Sequence, residues 1–339
     1  MLRFTTKGAP FERGEQQGRA CRDQMLPWFH ERVAASAKVP QAEIDSWLKR
    51  IGNAYPAGME ECRGIAAGLG LGEQDYFRVV VGFLTTLAPQ CTTCGIRNER
   101  GEPLLGKTDD LFSPEAGKNV LETTIPDKGH RHVHFHFAGS IWTVAGMNER
   151  GLAIAMTGIP GPTLERDGIP CMEALHTILP VCATVGETLA HLKKLQLNHY
   201  GFSLLIGDAA GGMTLIEKTG AGLVVLPQNN GAPLIHTNHI LDADFARMNP
   251  PQLKSVHNNG VRRYATAMRR AGALGNTEEG VRALISDRAD VGPICQQGED
   301  GMHTDFGVIF NPVEKRFTLW AGPPSCTKPE TVSMESIFS

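Results

Sequence analysis

No run of about 18 apolar residues occurs in the 339-residue chain, so no segment is expected to span a membrane. Residues Met1 to Pro10 contain no apolar core of the kind that starts a secretory signal. We therefore expect a cytoplasmic protein. There is no basic run and no acidic tail: 33 Lys and Arg stand against 36 Asp and Glu, for a formal net charge of -3. Phosphate binding needs clustered cations, so nucleic acid is excluded as the main partner. Aromatic residues make up only 6%, and they mark out no binding pocket. Internal repeats and low-complexity stretches are also missing. The eight cysteines, Cys21, Cys62, Cys91, Cys94, Cys171, Cys182, Cys295 and Cys326, are scattered. Without an export signal they do not read as a disulfide framework, and most should be reduced and buried.

What remains is an ordinary globular mixture, 41% hydrophobic and 20% charged, long enough for one large domain or two ordinary ones. The first 85 or so residues read as mainly helical. Apolar positions recur at helical spacing over Arg19–Ala37, where Pro27 interrupts them, and again over Ala42–Ile51, Pro56–Ala67 and Glu73–Leu84. The texture changes at Pro89-Gln90-Cys91. Short apolar runs punctuated by Gly, Pro and Asn follow at Thr92–Arg97, Pro103–Lys107, Val120–Ile125, Val133–Phe137, Trp142–Met147 and Leu152–Thr157, and these predict strands. Met172–Leu195 reads as one or two helices broken near Pro180. Strands return at Phe202–Gly207, Met213–Glu217, Leu223–Leu226 and Leu234–Thr237. Arg262–Ala271 and Glu278–Ile285 look helical, and Val308–Asn311 with Arg316–Ala321 forms a hairpin. Helices, strands, helices and strands in that order predict an α+β layered protein.

Three segments concentrate chemistry-bearing residues. The first runs Gln90-Cys91-Thr92-Thr93-Cys94-Gly95, followed by Gly106-Lys107-Thr108-Asp109-Asp110. The second is Gly146-Met147-Asn148-Glu149-Arg150-Gly151. The third is Ile235-His236-Thr237-Asn238-His239, with Arg262-Arg263-Tyr264 beyond it. Each has a bland interpretation. Asp110 could close a turn, Lys107 could be a solvated strand end, Asn238 could be a turn residue, and Arg263 could lie on a helix surface. His236 and His239 suit satisfied structural positions. Cys91 and Cys94 formally make a C-x-x-C thiol-redox pair, although strand-like residues follow where a redox motif would start a helix. His130, His132, His134 and His136 alternate as a strand does and share one face. That face could bind a transition metal, but a wet face opposite Val133, Phe135 and Phe137 is the plainer expectation.

Taken in order, the three segments resemble the acyl-coenzyme A:isopenicillin N acyltransferase-like family. That family is related to penicillin V acylases and choloylglycine hydrolases among the N-terminal-nucleophile (Ntn) hydrolases. The resemblance covers residues 91 to 323, and within it Gly207-Asp208-Ala209 with Glu217 also looks like that family's strand pair. It implies a four-layer αββα fold and a precursor cut between Gln90 and Cys91. Residues 1–90 would be an α chain that stays attached, and residues 91–339 the catalytic β chain. The chemistry has its own logic. A thiol attacks well only as thiolate, and a free α-amine with a pKa near 8 can serve as its base. One residue then supplies both nucleophile and base.

By the same resemblance Cys91 is the nucleophile, Asp110 orients its amine and Asn238 is an oxyanion-hole residue. Arg263, or Arg262 if the register slips by one, lies near the nucleophile. Lys107 stands where relatives carry Arg or Gln. Lys107, Thr92, His236 and His239 are expected to line the substrate pocket. Thr108 and Asp109 depart from the family's usual Asn and aromatic. Asn148 and Glu149 are expected to build a hairpin, and Gly158 takes the place of a second oxyanion Asn. The expected activity is hydrolysis of a small amide through a Cys91 thioester, with no cofactor and no metal. An acyltransferase is the alternative within this chemistry, and a non-catalytic binding module the alternative outside it. Cys91, Asp110 and Asn238 occurring together speak against the binding module. The expected partner is a small-molecule amide, and a homo-oligomer is left open.

Overall fold

A computed structural model of the chain describes residues 1–83, 90–160, 168–198, 201–228, 231–248, 254–273 and 275–339. Among them, two antiparallel-rich sheets stack face to face. The larger has the order β1 (Leu2–Gly8), β4 (Asn119–Pro126), β5 (His132–Phe137), β6 (Ala145–Asn148), β7 (Ala153–Ile159), β10 (Gly201–Gly207), β11 (Met213–Thr219) and β12 (Gly222–Val225). The smaller has the order β13 (Leu234–His236), β2 (Gln90–Arg97), β3 (Pro103–Phe112), β14 (Met302–Asn311), β15 (Arg316–Trp320) and β16 (Glu330–Ser333). A short parallel pair, β8 (Ile169–Pro170) and β9 (Leu197–Asn198), lies apart. The inner faces are apolar and interdigitate. Phe135 of β5 stacks on Phe306 of β14 with ring centroids 4.6 Å apart, and Phe310 and Phe317 meet its edge.

Helices cover both outer faces. On the larger sheet lie α1 (Pro10–Ala35), α2 (Gln41–Ala54), α3 (Pro56–Leu69) and α4 (Glu73–Gly82), followed in the chain by α5 (Cys171–His176), α6 (Ile178–Val181) and α7 (Val185–Lys194). Trp28 of α1 meets Phe137 of β5 at 5.3 Å, and Tyr76 of α4 donates to Gly139 O. On the smaller sheet, after the short α8 (Ala243–Arg247), lie α9 (Lys254–Ala271) and α10 (Glu278–Ile285). Their residues Ala267, Val281, Leu284 and Ile285 close a second core over Cys94, Ile96 and Ile309. A last turn, α11 (Met334–Phe338), ends the chain. This is the expected αββα arrangement. Among the described residues no helix is long and apolar enough to cross a membrane.

Several expectations shift in detail. The front segment is not all helix. It begins with β1, which pairs parallel to β4 and so threads residues ahead of Cys91 into the larger sheet. Pro27 does not break α1; it sits on the solvent side of a continuous helix, where missing hydrogen bonds are tolerated. Two glycine pairs bring α1 and α3 together. A Cβ at Gly14 would lie 1.9 Å from Glu61 O, and one at Gly64 would lie 2.0 Å from Phe11 O. Leu84 and Pro89 lie outside the described residues. The wet histidine face is overturned: His132, His134 and His136 are 2%, 0% and 0% exposed. Helices from remote sequence positions cover this face, and the rings are satisfied locally by His130 O, Thr143, Phe137 O and Glu122.

One buried acid sets a pH dependence of stability. Glu173 of α5 is 2% exposed, and among the described residues its Oε2 finds no hydrogen-bond partner. Burial pushes its pKa up to about 7, against a smaller opposing hydrogen bond from its own backbone. Between its ordinary value and 7, the folded chain keeps a proton that the unfolded chain has released. Stability therefore falls as pH rises through that window and levels off above it. Glu173→Gln should thus gain on the order of 2–3 kcal/mol over the parent at pH 8, and almost nothing at pH 4.5. Urea midpoints at both pH values check this; an equal difference at both would contradict it.

Candidate active site

Strand alternation divides the residues around Cys91 into two faces. In the β2–β3 hairpin, Cys91 lies opposite Asp109 and Thr93 opposite Lys107, while Gln90 lies opposite Asp110 and Thr92 opposite Thr108. Facing residues share a side. Cys91, Lys107 and Asp109 therefore point between the sheets, and Gln90, Thr92 and Asp110 point toward α9.

On the inner side, Cys91 Sγ donates to Asp109 Oδ1 at 3.2 Å. Lys107 Nζ is 2.9 Å from the same oxygen and donates to Met156 O of β7 at 2.7 Å. Asn119 Nδ2 of β4 donates to Asp109 Oδ2 at 2.9 Å. All four side chains are buried. Burial pushes the Cys91 thiol well up, Asp109 adds to that, and Lys107 opposes it. Burial also works against the Lys107 ammonium, but the Cys91 sulfur and Asp109 together raise its pKa above the ordinary value. The intact chain thus holds a neutral thiol beside a Lys–Asp ion pair.

On the outer side, Arg263 of α9 is fully buried and uses every guanidinium N–H. Nη1 donates to Cys91 O at 2.6 Å and Thr92 Oγ1 at 2.9 Å. Nη2 donates to Gln90 Oε1 at 2.9 Å and Asn238 Oδ1 at 2.8 Å. Nε donates to Asn259 Oδ1 at 2.7 Å. Asn238, just past β13, also accepts from the Cys91 backbone N–H at 2.8 Å, and its Nδ2 donates to Gly158 O at 2.9 Å. With two donors facing Oδ1, the orientation of this amide is fixed. The bond at Cys91 N spans a sequence separation of 147 residues and seizes the nitrogen of the Gln90–Cys91 peptide.

The structure brings together Gln90, Cys91, Thr92, Lys107, Asn238 and Arg263. It also resolves the arginine register, since Arg262 pairs with Asp300 at the surface. Asp110 lies on the Arg263 side, where it accepts from Thr304 Oγ1 and from Gln296 Nε2. Burial raises its pKa to about 6, with Arg263 the strongest opposing influence. The carboxylate at the thiol is Asp109 instead, which in sequence is only a departure from the family pattern, and its partner Asn119 belongs to none of the three motif segments. Counting back through the hairpin, with Arg97 opposite Pro103, would have placed Asp109 across from Cys91. His236 is buried and its ring is engaged at both nitrogens. Its Nε2 lies 2.9 Å from Glu217 Oε1 and its Nδ1 2.8 Å from Thr157 Oγ1, and Glu217 also accepts from Leu241 N and Asp242 N. His239 packs edge-on against Tyr264. Cys94 points away from Cys91 into the core under α10, so the two cannot form a redox pair.

Residues 96–325 match the model of the family described as acyl-coenzyme A:6-aminopenicillanic acid acyl-transferase. The chain belongs to this family. The matched region begins after Cys91 and takes in most strands of both sheets, β1, most of β2 and β16 excepted. An uncharacterized protein of Archaeoglobus fulgidus is 25% identical over 260 residues, covering 65% of this chain and 42% of that relative's length. Among solved structures, a mutant conjugated bile acid hydrolase from Clostridium perfringens is similar at 14% identity, over 73% of this chain and 93% of that one, with a TM-score of 0.46. Penicillin V acylase from Agrobacterium tumefaciens is similar at 16% identity, over 72% and 86%, with a TM-score of 0.45. In this member of the family Asn148 is structural. Its Oδ1 accepts from Arg150 N and Leu152 N, and its Nδ2 donates to Leu179 O and Cys182 O. Gly151 closes that turn at φ +84°, a conformation L side chains rarely adopt.

Proposed function

We propose that the chain is a self-processing cysteine Ntn amidohydrolase, cut between Gln90 and Cys91 and then acting on a small amide through Cys91. The observation that carries this is the grip on the Cys91 nitrogen by Asn238 Oδ1. That atom is an ordinary amide now and a free α-amine once the preceding bond is cut. It would then already be held where the nucleophile's base is needed.

In processing, Sγ attacks the Gln90 carbonyl carbon while Asp109 takes the thiol proton. The Gln90–Cys91 C–N bond breaks as that proton reaches the nitrogen, leaving Gln90 as a thioester on Sγ. Water then releases the Gln90 carboxylate and restores the thiol. Arg263 holds both sides of the bond, through Gln90 Oε1 and Cys91 O. Such positioning accounts for much of the acceleration when a nucleophile lies beside its target. After the cut, Gln90 is released from its bond to Cys91 and can shift, which opens space at Sγ. The β1–β4 pairing keeps the front segment in place.

With an external amide the same thiol takes the acyl group and the amine departs with the proton. For Asn238 to act in the oxyanion hole, its Nδ2 must exchange Gly158 O for the substrate oxygen. Such a donor is worth roughly 3–4 kcal/mol. Lys107 is placed to keep the thiolate charged. Thr92, with its hydroxyl on Arg263, and His236, on Glu217, act as positioning residues. The family's description names an acyl transfer, and the shared thioester permits either outcome: water as acceptor gives hydrolysis, an amine gives transfer. A panel of N-acyl amides assayed for released amine tests this. Turnover by the processed chain and none by Cys91→Ala is expected. Equal turnover in both, or binding without turnover in the cut chain, would contradict it.

A further inference from the structure

We infer that Glu122, His134 and His136 form a site for one divalent transition metal, best suited to zinc, on the face of the larger sheet turned away from Cys91. Glu122 of β4 lies opposite His134 of β5, and Val120 lies opposite His136, so the three side chains adjoin under α1. Glu122 Oε2 is 3.0 Å from His136 Nε2 and 3.6 Å from His134 Nε2. All three ligand atoms lie within 4.8 Å of one another, and all three residues are 0% exposed.

The hydrogen bonds fix which ring nitrogens face inward. His136 Nδ1 lies 3.0 Å from Phe137 O. A carbonyl only accepts, so Nδ1 carries the hydrogen and Nε2 of the neutral ring presents a lone pair. At 3.0 Å from Glu122 Oε2, that nitrogen meets the carboxylate either through a second ring proton or through a cation bound between the two. His134 Nδ1 is likewise engaged by Thr143 Oγ1 at 2.9 Å, leaving its Nε2 toward Glu122. Metal-bound histidines are oriented in this way, with the outer ring nitrogen tied to a carbonyl or hydroxyl. Glu122 is oriented too: Thr6 and Thr124 donate to Oε1, and Gln17 Nε2 donates to Oε2 at 3.0 Å.

Two imidazoles and one carboxylate are a donor set for zinc or ferrous iron. With ligand bonds of about 2.1 Å, donors sit roughly 3.4 Å apart around a tetrahedral ion. The closer pairs already bracket that spacing, and the widest needs side-chain movement of about an ångström. Thr124 Oγ1, 3.4 Å from His134 Nε2, borders the open position. Thr124 also lines a cavity of about 670 Å³, together with His132, His176 and Arg13. Bound there, the metal would fasten β1 and α1, through Thr6 and Gln17, to β4 and β5. The site is independent of the chemistry at Cys91.

The full chain, purified without chelator, should carry about one equivalent of zinc by inductively coupled plasma mass spectrometry. After stripping, Co²⁺ should give a visible d–d spectrum that Zn²⁺ erases. Metal content should fall at least tenfold in His134→Gln/His136→Gln and persist in Cys91→Ser/Cys94→Ser. The inference is overturned by parent protein that carries no metal and gives no cobalt spectrum, by retention of metal in the histidine variant, or by its loss in the cysteine variant. If the histidine variant does not fold, the parent's metal content and cobalt spectrum decide the matter.

Discussion

Arg263→Leu is expected to destabilise the chain by about 3–5 kcal/mol and to leave it uncut. Leucine fills much of the space but donates nothing. Cys91 O, Thr92 Oγ1, Gln90 Oε1, Asn238 Oδ1 and Asn259 Oδ1 all lose a charged donor. Asp110 loses the cation that most favours its charged form. A buried acceptor without a donor costs about 1–3 kcal/mol, and neighbouring losses relax only in part. Arg263→Lys should fall between the two, because one ammonium cannot reproduce a planar five-donor fork. Urea denaturation measures the stability and a denaturing gel measures the cut. A leucine variant within 1 kcal/mol of the parent, or one that still splits, would show that Arg263 is only a surface-type helix residue that happens to be covered.

Asp109→Asn should slow the Gln90–Cys91 cut by about 10²–10⁴, because it removes the proton acceptor at Sγ while keeping the side chain's shape. It also deprives Lys107 of its ion-pair partner. Asp110→Asn should have the smaller effect on the cut. That carboxylate lies on the opposite strand face, and its bonds run to Thr304 and Gln296. The time course of splitting, followed by mass after denaturation, compares the two directly. If Asp110→Asn were the slower, the aspartate indicated by the family resemblance would be the acting one and Asp109 would be only a counter-ion for Lys107.

The contrast between these two aspartates marks the limit of what the residues alone convey. The Cys-Thr-Thr segment, Asn238 and the arginine after α9 begins were legible because they recur in a recognisable order. Which of two adjacent aspartates faces the thiol depends on hairpin register, and one residue of slip moves a side chain to the other face. Most strands from β2 to β15 are legible from short alternating runs set between Gly, Pro and Asn, whereas the two-residue β8 and β9 and the late β16 are too short to carry a pattern. β1 is not legible either, because it is an exposed edge strand whose pairing partner lies more than a hundred residues away. The period-two pattern of β5 identifies it as a strand, but does not show that its polar face is buried. The alternation His-Val-His-Phe-His-Phe carries the period and not the cover; α1, remote in sequence, supplies that. α9 starts earlier than expected because Asn258, Asn259 and Gly260 are poor helix formers, and tertiary bonds such as Asn259 to Gln296 and Thr237 to Gly260 O hold the turn.

The most direct measurement is the intact mass of freshly purified protein under denaturing conditions, beside Cys91→Ala. The expected result is two pieces from the parent, one ending at Gln90 and one beginning at Cys91, and a single 36.7 kDa chain from the variant, less one sulfur atom. A single uncut chain from both would contradict self-processing and leave Cys91 as a buried structural thiol.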